Sequence, residues 1–165
     1  MYSDAHDDND LYYTCGMIEF IGRATKNKRK DIVNTIGKEG MYRLYALACV
    51  NHCLSQEQVC YEYIEEFGII EGNYDNIVDC DVTIPKVYSI AKIYMRLILH
   101  TLDEFKANLE ENSTEEKEYK NKVIDKLFEV YNSFIVDYID NYNNLVFTGS
   151  PQFHYESYLA REILD

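Results

Sequence analysis

Apolar side chains return every three or four residues after Pro85. Val87, Ala91, Tyr94, Ile98, Leu102, Phe105 and Leu109 share one arc of a helix, with Lys92, Arg96 and Asp103 opposite. This stripe predicts an amphipathic helix from about Pro85 to about Glu110, with Pro85 in the first helical position, where a missing N–H costs nothing. A second stripe runs through Val123, Leu127, Val130, Phe134 and Tyr138, and Ile124, Phe128, Ile135 and Ile139 widen it beyond half the circumference. It predicts a helix from about Thr114 to about Asn141 that packs on two sides, opened by Ser113 and Glu116 at capping-box spacing. Only a few residues separate the two, so they are expected to return antiparallel as a hairpin roughly 40 Å long at about 1.5 Å per residue.

The first half reads as shorter pieces. Residues 1–9 are acidic, polar and without periodicity, and are expected to be flexible. Asp10 is the expected N-cap of a helix to about Thr25, with Leu11, Cys15, Ile18 and Phe20 or Ile21 inward. A short helix from about Lys28 to Ile36 should stop at Gly37, and another should run from Lys38 to about Asn51 on Met41, Leu44, Tyr45 and Ala48. Ser55 and Gln58 then form a capping box for a helix ending at Gly68. Between Gly68 and Ile84 the periodicity lapses into turn chemistry, a loop or at most a brief strand. Ser150 and Pro151 open a last helix carrying Tyr155, Tyr158, Leu159 and Ile163. The expected fold is all-α, a single domain over 10–165 of six or seven helices around the long antiparallel C-terminal hairpin.

Composition narrows the class without naming a function. A chain of 165 residues, 47% of them hydrophobic, can bury one core unaided. MYSDAHDDND has neither a basic nor an apolar region of a secretory signal, and the best apolar run, Val87 to Leu102, is broken by Lys92, Arg96 and His100. The expectation is a cytoplasmic protein with no membrane partner. Five cysteines, an odd number, favour reduced thiols over a disulfide framework.

Charge changes the picture more. Arg23, Lys26, Lys28, Arg29 and Lys30 crowd into eight residues of a chain of net charge -13, and outside that segment the balance is 11 basic against 29 acidic residues. So compact a basic run on an acidic body is a candidate patch for a partner or for phosphate, or it folds back on its own carboxylates. As a nucleic-acid site it would neutralise about three to five phosphates. The helix from Ser55 to Phe67, which a helix-turn-helix reading would need as its recognition helix, carries Glu57, Glu62, Glu65 and Glu66 and no cation.

Candidate chemistry is sparse. Cys49, His52, Cys53 and Cys60 are the nearest approach to a metal site, yet fit no standard ligand spacing, so they are read as packing residues, with metal the weak alternative. His100 lies near Arg96, Asp103 and Glu104 without a nucleophile, glycine-rich loop or second histidine, which reads as a solvated helix face. Asp75, Asp79 and Asp81 lack the alternation and terminal glutamate of an EF-hand, and IGKEG lacks the rest of a phosphate loop. No catalytic residue, resident metal or cofactor is assigned. Tyr131, Tyr138, Tyr142, Tyr155 and Tyr158 gather near the C-terminus and are candidate interface aromatics, or the domain uses Tyr where others use Phe. The functional expectation is a non-enzymatic α-helical interaction module, either an acidic, antitoxin-like inhibitor of a basic protein or a homodimer. The alternative is a regulator that binds nucleic acid through residues 23–30.

Overall fold

The computed structural model describes residues 8–103, 105 and 113–165. They form a single compact, all-helical body. The helices are α1 (Asn9–Thr25), α2 (Arg29–Ala46), α3 (Ala48–Asn51), α4 (Gln56–Phe67), α5 (Val87–Thr101), α6 (Ser113–Tyr131), α7 (Ile135–Ile139) and α8 (Pro151–Ala160), with 3-10 turns at Tyr142–Asn144 and Val146–Thr148. No strand occurs among the described residues, so the 68–84 stretch is loop.

Helix α1 is the axis, packing against α2, α3, α4 and α5. That position explains its burial on nearly every side: Leu11, Cys15, Ile18 and Ile21 are inside as the pattern predicted, but so are Tyr13, Thr14, Met17 and Glu19. Its cap is Asp8, two residues before the expected Asp10. One Asp8 carboxylate oxygen accepts from the Leu11 N–H at 3.0 Å and the other from the Tyr45 hydroxyl at 2.7 Å, so the tertiary contact chooses the cap. Residues 1–7, most of the expected flexible terminus, lie outside the described residues.

Gly37 interrupts α2 with φ 78° and ψ 169°, a conformation that only glycine adopts at low cost, and the break falls where the sequence placed a stop. Ser55 caps α4 through the Gln58 N–H, and Gly68 ends it in the left-handed conformation. At the C-terminus Ser150 accepts from the Phe153 N–H and Pro151 takes the first position of α8.

Helices α5 and α6 pack together, but both are shorter than their stripes implied. Helix α5 starts at Val87 because Lys86 is extended and the carbonyl of buried Pro85 accepts from Arg23 Nη2 at 2.8 Å instead of joining the helix. The expected helix from Thr114 to Asn141 breaks after Tyr131. There the Ser133 hydroxyl donates to the Val130 carbonyl at 2.7 Å and the Asn132 amide to the Phe128 carbonyl at 2.9 Å, and such local bonds compete with the helical ladder. Asn132 also exchanges amide hydrogen bonds with Asn34 of α2 at 2.8 and 3.0 Å, which holds the break in place. The expected end of the first helix, with the stripe position Leu109, and the expected turn immediately after Glu110 lie outside the described residues. The core holds Ala91, Tyr94, Ile98, Leu102, Val123, Leu127 and Val130, and Tyr94 stacks on Tyr131 at 4.5 Å between ring centroids.

Candidate functional site

The basic segment does not form a common surface. Arg29 is fully buried, at 0% exposure, against Glu19 at 1%. Its Nε donates to Glu19 Oε2 at 2.9 Å and its Nη2 to Oε1 at 3.0 Å, the bidentate geometry that makes arginine suited to a buried carboxylate. Nη1 donates to the Asn27 carbonyl at 2.9 Å and Nη2 also to Asn76 Oδ1 at 3.1 Å. Arg23, one helical turn after Glu19, adds Nε to Oε1 at 2.9 Å. The Tyr142 hydroxyl donates to the same oxygen and accepts from Arg23 Nη2 at 3.2 Å.

This cluster exists because α1 leaves room for it. A Cβ on Gly22 would stand 2.4 Å from Arg29 Cδ, so only glycine lets the guanidinium lie along the helix. Of the other cations, Lys26 pairs with Glu71 at 3.2 Å, Lys28 lies 5.8 Å from the Tyr74 ring centroid, and Lys30 is half-buried. The expected five-residue patch is therefore corrected: Arg29 is interior, and Arg23 and Lys26 are engaged with carboxylates of the same chain.

A second carboxylate, Asp140, is buried at the end of α7 and accepts from the Tyr94 hydroxyl at 2.8 Å. Its backbone carbonyl accepts from Asn76 Nδ2 at 2.8 Å, which links it to Arg29 through the Asn76 amide. The two acids are pushed in opposite directions. Burial opposes the Glu19 charge, but the Arg29 and Arg23 guanidinium groups and the Tyr142 hydrogen bond hold its carboxyl below the usual carboxylate range. Burial and then repulsion from Glu19 push Asp140 up to about 7, Arg29 offsetting them only in part.

A cleft of about 400 Å³ opens above this cluster, with Asn76 and Tyr142 in its lining. Lys28, Tyr74, Asp79, Asp137 and Asn141 also line it. Asn143 bonds to the 79–81 backbone through both ends of its amide, at 2.7 and 2.8 Å, and keeps the loop on the C-terminal turns.

The C-terminal tyrosines separate. Tyr131 and Tyr142 are core residues, Tyr155 and Tyr158 are half-buried, and Tyr138 is exposed at 45%. The buried side chains of α8 are His154 and Ser157, while Leu159 is exposed. His154 Nε2 meets the Val146 carbonyl at 2.7 Å, which ties α8 to the preceding 3-10 turn. Cys49, His52 and Cys53 are exposed and only Cys60 is buried, so the packing role expected of Cys49 and Cys53 is not seen. Among the described residues no three His, Cys, Asp or Glu side chains converge to hold a metal ion.

Glu19 carries the one sequence signal for the cluster: a lone acid in the apolar run CGMIEFIG, four residues before an arginine. Asp140, Asn76 and Tyr142 are joined to it only by the fold. A second surface feature also escaped the sequence reading. Leu47, Val50, Leu54 and Tyr61 are exposed on α3, its flanks and the middle of α4, Val50 at 59% and Tyr61 at 64%. On α4, Glu57 and Glu65 flank Tyr61 one turn away on either side, and Glu62 is exposed beside it. No protein-family model, curated protein or solved structure matches this chain.

Proposed function

We propose that the protein is a non-enzymatic helical module that binds a basic protein partner through the α3–α4 shoulder. The observation that carries this reading is the exposure of four apolar side chains within 47–61, Leu47, Val50, Leu54 and Tyr61, in a stretch of chain whose α4 part carries Glu57, Glu62 and Glu65. Apolar contact area edged by charge of one sign suits a segment that presents hydrophobic and cationic side chains together, the acids steering the encounter and the apolar row supplying the burial. The same carboxylates repel a second copy of this face. Self-association is better accommodated at the C-terminal groove of Phe134, Tyr158 and Leu159, whose lining includes Arg161. The nucleic-acid alternative has less to draw on, since Arg29 is interior and Arg23 and Lys26 have partners, leaving Lys28 and Lys30 to meet phosphate.

Affinity purification from the native cell with the whole chain, repeated with V50S/Y61S and with E57K/E65K, tests the proposal. A basic protein retained by the wild type and lost with either pair supports it. Retention undiminished in both pairs, or a nucleic acid as the retained species, refutes it.

A further inference from the structure

We infer that the cavity lined by α5 and the 147–154 segment is a binding site for a small phosphate monoester that also carries hydroxyl groups, a phosphorylated sugar or polyol. It shares no lining residue with the α3–α4 shoulder or with the cleft above the buried cluster. Its volume of about 290 Å³ is room for a small molecule, since one water takes only about 30 Å³. In a chain of net charge -13 its lining includes no carboxylate. The two stretches that supply the lining are acid-free well beyond it: residues 82–102 and 141–155 contain no Asp or Glu, in a chain with 29 acids among 165 residues. Ser89, Lys92 and Arg96 follow one another at steps of three and four residues and so share one face of α5. Lys92 is exposed and Arg96 half-buried, and neither of them, nor the Ser89 hydroxyl, has a side-chain partner among the described residues. By contrast Arg23, Lys26, Arg29, Lys38 and Arg43 are all paired with carboxylates of the chain. An ammonium and a guanidinium one turn apart, with no competing acid in the cavity, suit the two charges of a phosphate monoester, and the guanidinium fork fits its oxygens. Pro151, the first residue of α8, brings the positive end of that helix to the same cavity.

Helix α8 adds an acceptor that lacks a donor. His154 is only 2% exposed, yet it lines the cavity. A carbonyl can only accept, so the contact with Val146 places the ring proton on Nε2 and leaves Nδ1 a lone-pair acceptor with no donor among the described residues. Burial lowers the pKa of the ring, which keeps that lone pair free at neutral pH. A bare anion offers such a nitrogen nothing, whereas a hydroxyl donates to it, and this selects a hydroxylated ester over phosphate alone. Ile93, Phe147 and Pro151 supply apolar wall for the C–H faces of a sugar or polyol. The wall is held by the chain itself: the Phe147 ring stands edge-on to Tyr142 at 5.6 Å between centroids, and the Thr148 hydroxyl donates to the Leu145 carbonyl at 2.7 Å, so little ordering is left for binding to impose.

Calorimetric titration of the whole chain with glucose-6-phosphate at low salt tests this. The expected result is saturable one-site binding, weakened at least about tenfold in K92Q/R96Q, as removal of both attracting charges requires. Inorganic phosphate should bind the wild type at least about tenfold more weakly than the ester, because it leaves Nδ1 and the apolar wall unused. H154Q keeps an amide donor for the Val146 carbonyl but removes Nδ1, so it should weaken the ester about fivefold and leave inorganic phosphate unchanged. The K92Q/R96Q exchange breaks no hydrogen bond among the described residues, so unchanged melting keeps that arm decisive even where H154Q fails to fold. The inference is overturned if binding does not saturate, if inorganic phosphate binds as tightly as the ester, if folded H154Q binds the ester as the wild type does, or if K28Q/K30Q weakens binding as much as K92Q/R96Q.

Discussion

Removing the Arg29 guanidinium while keeping its bulk, as in R29M, should be among the most damaging single changes the fold can suffer. The reason is the carboxylate left behind. Wild-type Glu19 accepts from Arg29 twice, from Arg23 and from Tyr142, at 1% exposure, so no water replaces a lost donor. Breaking a buried ion pair on one side costs about 3–5 kcal/mol, a large share of the roughly 5–15 kcal/mol that holds a domain folded. Arg23 retains part of the compensation, and Asn76 and the Asn27 carbonyl each lose a donor, so about 3–4 kcal/mol is expected. Near the melting midpoint that is on the order of 10 °C for a chain of this length. The double variant E19Q/R29M removes the stranded charge and should be less destabilised than R29M alone, as neutral replacements of buried pairs commonly are. Urea denaturation of the wild type, E19Q, R29M and the pair gives the cycle. The loss in R29M should also shrink in acid: Glu19's folded carboxyl lies below its ordinary value of 4.5, so its contribution is full above that value and disappears as pH falls through the folded one. An R29M loss under about 1 kcal/mol, or a double variant as unstable as the sum of the singles, would refute the argument that a stranded charge is the cost.

Asp140 should show the opposite slope, because its folded carboxyl holds its proton more tightly than the ordinary value of 3.8 allows. Its ionisation costs stability progressively from about pH 4 to about 7, and D140N should melt higher than wild type by up to ~4 kcal/mol equivalent at about pH 8 but much less at pH 5. Equal gaps at both pH values would contradict it. G22A should lose about 1–3 kcal/mol in a urea melt, because its methyl would overlap the Arg29 side chain, and an unchanged midpoint would show that the guanidinium can shift cheaply. I98D, at a fully buried position of α5, should destabilise by several kcal/mol, whereas F134D, at a half-buried ring beside the α6–α7 break, should cost distinctly less; equal losses would misplace that break.

Local chemistry was enough for much of this fold. The Ser55 and Ser150 caps, the Gly37 break, the Gly68 stop and the buried stripe of α5 are set by residues within a turn of one another, through hydrogen bonds and backbone preferences that need no distant partner. For the same reason the all-helical class was legible from periodicity. What failed were features decided by contacts far along the chain. Asp8 replaces Asp10 as cap because Tyr45 donates to it, and α5 begins late because Arg23 takes the Pro85 carbonyl. The α6 stripe ends at Tyr131 although its apolar period continues, since local side-chain bonds and the Asn34–Asn132 pair outweigh it. The basic run shows the limit most clearly. A window of sequence counts five cations and infers a surface, whereas burial of an arginine depends on whether a carboxylate ten residues back, a glycine without a side chain and a tyrosine more than a hundred residues on converge to replace its water. Charge is local in sequence, but its solvation is a property of the packed chain, and so tertiary structure alone decided which of these ions face the solvent and where the polar cleft lies.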